Sequence, residues 1–168
     1  MEVFATPRLT IRRLDAGDVA DLHAVYGDAE AMRWVADGQP LALERCQDWV
    51  RVTERNYAAR GYGMFTVRAR DTGEVVGFCG LVHPGGQVDA EIKYALNRAH
   101  WGKGYATEVA AAMLRYGAKV HGLARIIATA APENLASHRV LAKAGMVPAT
   151  PRRDEEGAVT LVFTWDPA

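Results

Sequence analysis

Residues 101–108 read Trp-Gly-Lys-Gly-Tyr-Ala-Thr-Glu (WGKGYATE). Before them runs an alternating apolar segment, and after them a long helical pattern. The succession is a strand, a tight turn and a helix start. Glycine adopts backbone angles that other residues resist and lets a ligand approach the main chain closely. The first amides of a helix lack partners and carry partial positive charge, so they attract phosphate. Gly102 and Gly104 therefore mark a candidate phosphate cradle, although a GxG pair alone also makes an ordinary turn.

Working outward, the preceding strand covers about Val88 to Leu96. The following helix covers about Tyr105 to Val120, with Ala106, Ala110, Met113, Gly117 and Val120 as its buried stripe. A short apolar strand at Arg125–Ala130 leads into a helix from about Asn134 to Ala144, stopped at Gly145. Val159–Trp165 reads as a last strand. On the N-terminal side, Arg8–Arg13 alternates as a strand, and Asp15 can cap a helix running to about Tyr26. Residues 27–40 read as a loop or broken helix. Leu43, Cys46, Val50, Thr53 and Tyr57 recur at helical spacing up to Gly61. Met64–Arg70 and Val75–Val82 flank Asp71-Thr72-Gly73 as a hairpin. The expected fold is an α/β mixture, with antiparallel hairpins first and a strand–helix–strand–helix unit second.

The 168 residues fit a single domain, residues 1–168, with room for a real core. Lys plus Arg number 20 and Asp plus Glu number 20, a balance with no general pull towards nucleic acid or anionic membrane. No apolar run is long enough to span a bilayer. The opening MEVFATPRL has no secretion-signal pattern, so a cytoplasmic location is expected. Cys46 and Cys79 are far apart and read as reduced, packed thiols. The five histidines share no metal-ligand spacing, so no metal is expected; His100 and His138 read as surface residues. The charged run Arg152–Glu156 reads as a solvated hairpin tip. GKGYAT also lacks the Gly-x4-Gly-Lys-Ser/Thr of nucleotide-binding P-loops, which argues against a nucleotide hydrolase.

The segments EIKYALNRAHWGKGYATE and ATAAPENLASHRVLAKAGM, together with the opening TPRLTIRRL, resemble the GNAT superfamily of N-acetyltransferases. Within it, they are most similar to the branch of ribosomal-protein N-terminal acetyltransferases. The resemblance spans almost the whole chain, in order. It implies a mixed, mostly antiparallel central sheet flanked by helices, with acetyl-CoA as donor. It also implies that the strand before the glycine loop and the strand after the long helix splay apart, exposing main-chain groups to the pantetheine arm. The pyrophosphate would then meet the amides of Trp101, Gly102, Lys103, Gly104, Tyr105 and Ala106. Lys103 could add charge or be a solvated loop residue, and Thr107 could reach a phosphate oxygen or satisfy its own cap. Asn134 would bond the cofactor arm, a role compatible with an N-cap. The chain departs from the family at Ala99, where Gln or Arg is usual; Arg98 sits one place earlier.

Transfer needs a neutral amine. A lysine-type amine, with a pKa of about 10.4, is neutral less than about once per thousand molecules at pH 7, and an α-amine of pKa about 8 roughly a tenth of the time. A base, acting directly or through water, is therefore required. Glu91 occupies the strand position where many superfamily members hold a glutamate base; a structural ion pair with Lys93, on the same strand face, is the other role open to it. A main-chain N–H near Leu96 could hold the oxyanion. Seven residues after Asn134 many members place a tyrosine, but here it is Leu141. Ser137, a water or a tyrosine from elsewhere would then assist the leaving thiolate, or it would leave unaided, its pKa being about 8.5. Residues 32–39 are the expected acceptor wall. There Trp34 could line the site or anchor the core, and Asp37 could attract a cationic amine or be solvated. Trp101 could cover the cofactor or pack at a subunit contact. The expected activity is acetyl transfer from acetyl-CoA to a protein N-terminal or small-molecule amine, by a monomer or homodimer. The alternative is a non-catalytic acyl-CoA-binding module.

Overall fold

The alternating run before the glycines forms β5, Ala90–Leu96, in the computed structural model, which describes residues 1–35 and 37–167. Around it lie β1 (Glu2–Ala5), β2 (Leu9–Arg13), β3 (Met64–Ala69), β4 (Val75–Val82), β6 (Ile126–Ala130) and β9 (Val159–Trp165), with the two-residue strands β7 (Val147–Pro148) and β8 (Arg152–Arg153). The helices are α1 (Val19–Tyr26), α2 (Ala29–Met32), α3 (Leu43–Arg60), α4 (Tyr105–His121) and α5 (Leu135–Lys143). The sheet order is β1-β2-β3-β4-β5-β6-β9-β7, with β8 also on β9. The β5–β6 pair is parallel and the other pairs are antiparallel. The mixed, mostly antiparallel sheet between helices is the architecture that the family resemblance implies.

Strand alternation sends successive side chains to opposite faces, and each face has its own core. Ile92 and Leu96 of β5 pack with Val109, Met113 and Leu141 of α4 and α5. Ala95 packs with Leu22, Tyr26, Cys46 and Val50 of α1 and α3 on the other face. Glu91 and Lys93 share the parity of Ala95 and point to that second side. Both cysteines are buried and free, and burial pushes both thiols up from their ordinary pKa. Among the described residues, no helix is long and apolar enough to cross a membrane.

The structure adds or corrects several points. Residues 2–5 form an edge strand on β2, which their short, weakly alternating sequence does not announce. The loop at 27–40 contains α2, whose N-cap Asp28 accepts from the Glu30 amide. Asp15 caps a short 3-10 turn, Ala16–Asp18, that leads into α1. Val120 is not in the α4 stripe, being 62% exposed. In the last turn of α4 the inward position is taken by His121, which meets the Tyr62 and Tyr116 rings, and Leu123 packs back towards the core after Gly122. Val109 and Leu114 are buried instead.

Candidate active site

The parallel pairing of β5 with β6 is short. Ala90 lies opposite Ile126 and Glu91 opposite Ile127, and the pairing goes no further. Beyond it, β5 stays bonded to β4 as far as Leu96, and β6 to β9 as far as Ala130. A V-shaped gap therefore opens just after Glu91. Main-chain groups of a strand alternate sides. The Asn97 N–H donates to Val76 O in β4 (2.8 Å), so the groups of Leu96 and Tyr94 and the Ile92 carbonyl face the gap, the Ile92 N–H being taken by the last β5–β6 rung. There the Trp101 indole N–H donates to Leu96 O (3.0 Å). A cavity of about 810 Å³ fills the notch and runs from the glycine loop to Glu91.

Glu91 is 3% exposed, and its carboxylate is well held. It accepts from Gln87 Nε2 (3.1 Å) and Thr129 Oγ1 (2.8 Å) and pairs with Lys93 Nζ (3.1 Å). An ionised carboxylate offers about four lone-pair sites, so three donors leave one for a water or an amine. The ion pair read from sequence is present, and Glu91 also lines the cavity. Gln87 and Thr129, which position it, are not readable from spacing, because they come from a loop and from the facing strand.

At the other end of the notch, Gly104 is the N-cap of α4 with φ +81°, and it has no side chain to cap the helix. The first-turn amides are thus left for another acceptor. Gly102, Gly104, Tyr105, Ala106 and Thr107 line the cavity, whereas the Lys103 side chain is exposed and outside its lining. A clamp from the N-terminal strand braces the loop. Arg8 donates to Lys103 O (2.8 Å) and to Glu108 Oε1 (2.7 Å), and its guanidinium lies 4.5 Å from the Tyr105 ring centroid. Glu108 also accepts from Thr6 Oγ1 (2.5 Å) and the Arg8 amide (3.0 Å). Partial burial opposes the charge on Glu108, but Thr6 and Arg8 outweigh it and hold the carboxyl below its ordinary pKa. Arg98, the cation nearest the slot where the family usually has Gln or Arg, is bound to Asp28 through Nε (3.0 Å) and Nη2 (2.9 Å).

The α5 wall contributes Asn134 and Ser137, both lining the cavity. Asn134 Oδ1 caps the helix by accepting from the Ser137 amide (3.3 Å), which leaves its amide NH₂ for a ligand. The Ser137 hydroxyl meets Tyr94 Oη at 2.8 Å. Leu141 is buried in the core. Tyr94, on the α5 side of β5, is thus a tyrosine from elsewhere; its distance from Asn134 in sequence hides it.

Towards α2, Trp34 is 40% exposed, lies under the Arg33 guanidinium and lines the cavity, so it is no core anchor. Asp37 is not among the lining residues; its Oδ1 accepts from the Gln39 amide (3.0 Å) in its own turn. Trp101 is 45% exposed and covers the notch beside Leu96. Neither His100 nor His138 is a plain surface residue. His100 is partly buried near Tyr105 and lines the cavity, and His138 Nε2 bonds Ala131 O (3.0 Å).

Comparison with known proteins points to acetyltransferases. A model of the acetyltransferase (GNAT) domain matches residues 8–147. YnaD of Bacillus subtilis, described as an uncharacterized N-acetyltransferase, is 33% identical over 141 residues, which cover 84% of this chain and 80% of that one. A GNAT-family acetyltransferase from Bacillus anthracis superposes with a TM-score of 0.81 at 29% identity, covering 99% of this chain and 98% of that one. RimL, a ribosomal-protein alpha-N-acetyltransferase solved with coenzyme A, shares the fold at a TM-score of 0.83 and 18% identity, over 99% and 98% of the two chains.

Proposed function

This chain belongs to the GNAT family of acetyltransferases and is an N-acetyltransferase, and from that premise we propose that it moves acetyl from acetyl-CoA to an amine by direct attack in a ternary complex, as a single domain. The observation that carries the reading is the continuous cavity joining the uncapped α4 amides to Glu91 through the opened β5–β6 notch. The amides of the glycine loop and first α4 turn hold the pyrophosphate, and the Leu96 main chain and the Asn134 NH₂ bond the pantetheine arm. That RimL was solved with coenzyme A is in keeping with this use of the fold.

The oxyanion donor moves relative to the sequence expectation. Leu96 is five strand residues from Glu91, roughly 17 Å at about 3.4 Å per residue. A thioester beside Glu91 is out of its reach. The N–H group of Tyr94 faces the gap nearer Glu91 and takes that role. Glu91 uses its remaining lone pair to accept the amine proton, directly or through one water. Ser137 meets the departing sulfur.

The acceptor wall carries both signs, with Glu30 and Arg33 from the α2 region and Lys93 beside Glu91. Such a surface does not select a polycation. It fits an α-amine, a peptide N-terminus first and a small amino compound second, and an α-amine also needs less help from a base. Titration calorimetry with acetyl-CoA, followed by CoA release across N-terminal peptides, polyamines and amino compounds, tests the reading. Binding and turnover with an α-amine are expected. Binding without turnover on any amine would favour the non-catalytic acyl-CoA module, and no binding would remove the proposal altogether.

The Arg8 clamp gives a smaller expectation. Arg8→Ala removes one bond to the Lys103 carbonyl and an exposed ion pair, together about 1 kcal/mol. Acetyl-CoA should bind about fivefold more weakly by calorimetry, with kcat little changed. Unaltered affinity would show that the loop holds its shape without the clamp.

A further inference from the structure

The geometry points to Tyr94 as the residue that aims the Ser137 hydroxyl at the leaving sulfur; this rests on the reading of Ser137 above. Tyr94 Oη and Ser137 Oγ are 2.8 Å apart, and both residues line the cavity. Two neutral hydroxyls meet, and one must donate. A phenol is a far stronger acid than an alkyl alcohol, so Tyr94 donates and Ser137 accepts. Ser137 has a single O–H. With Tyr94 on one of its lone pairs, that O–H is turned away from the phenol and into the notch. Among the described residues, Ser137 Oγ has no other hydrogen-bond partner. Donation from Tyr94 also polarises the serine, making its O–H a better donor than that of an isolated alcohol.

Burial pushes the Tyr94 phenol up to about 12, so it stays protonated, and remains a donor, throughout the working pH range. It is not the final proton source for a thiolate of ordinary pKa about 8.5. When the tetrahedral intermediate collapses, the C–S electron pair goes to sulfur. Ser137 donates a hydrogen bond to it, and the proton that sulfur finally takes is the one released by the amine through Glu91 or water. Tyr94 is therefore a positioning residue. The products are the amide and CoA thiol, and both hydroxyls end as they began.

The test combines kinetics with the titration of bound CoA, its thiolate followed by ultraviolet absorbance. Wild type, Tyr94→Phe, Ser137→Ala and the double variant are compared. Tyr94→Phe keeps the ring and its packing, so the melting temperature and CoA affinity should stay near wild type. Its kcat/KM for the amine should fall about tenfold, as loss of one hydrogen bond implies, and bound CoA should lose its thiolate absorbance at a given pH. Ser137→Ala should fall at least as far, and adding Tyr94→Phe to it should change neither readout. If Ser137→Ala has the wild-type rate and titration, the Ser137 role itself is wrong. If Ser137→Ala is impaired but Tyr94→Phe is silent, or lowers the rate equally with and without Ser137, the Tyr94 inference is overturned and the Ser137 role stands.

Discussion

Glu91→Gln is expected to lower kcat/KM for acetylation of an α-amine at pH 7 by a hundredfold or more, while acetyl-CoA affinity stays within a factor of about two. General-base catalysis contributes about 10²–10⁴ in rate, and the amide cannot take a proton. The substitution keeps size and planarity inside a buried site. Thr129 and Lys93 share Oε2 and can still donate to an amide oxygen placed there, whereas Gln87, which donates to Oε1, faces the new NH₂ and must turn its own amide. The fold should survive, which a melting curve checks. A second signature follows from the substrate. Without the base, only the fraction of amine already neutral reacts, so the variant's rate should climb about tenfold per pH unit until the amine's pKa of about 8. The wild type should be flatter. A variant within threefold of wild type at pH 7 would leave Glu91 as a structural acid that seats Lys93 and Thr129.

The second large effect concerns the glycine loop. Gly104→Val should weaken acetyl-CoA binding more than a hundredfold with Glu91 untouched. Gly104 has φ +81°, a left-handed conformation that costs a side-chain residue about 1–2 kcal/mol and a β-branched one more. A Cβ there would also lie 3.3 Å from Arg8 Nη2, tight enough to disturb the clamp. Because Gly104 is the N-cap, the new side chain stands beside the first-turn amides. Gly102→Ala is the matched control: φ is +76°, but a Cβ would meet nothing within 4 Å. It should carry the conformational cost alone and weaken binding about tenfold. Undiminished acetyl-CoA affinity in Gly104→Val would place the pyrophosphate elsewhere.

The local parts of the site were legible because their signals are local. WGKGYATE shows its strand, turn and helix start by composition and periodicity, and Asn134 stands at a strand–helix junction where a cap belongs. The opened notch came only through family resemblance, since no residue in β5 or β6 announces that pairing ends at Glu91 and Ile127. Side chains far apart in sequence were harder still. Trp34 and Asp37 lie in one segment with similar promise, yet one lines the cavity and the other is spent on its own turn. Lys103, beside the glycines, is exposed and outside the cavity lining, Arg98 is bound to Asp28, and Arg8 reaches the loop from the approach to β2.

By itself, then, the order of residues determined most of the elements and the glycine turn before α4, which follow from backbone preferences and periodicities that act within a few neighbours; the mixed sheet and the candidate acid Glu91 are legible only through the family resemblance. Tertiary structure alone decided which partners those groups meet: Thr129 and Gln87 on Glu91, Arg8 on Glu108 across 100 residues, and Tyr94 on Ser137 across 43. Such meetings depend on where strands splay and helices dock, a balance of packing summed over the whole sheet that no local pattern encodes.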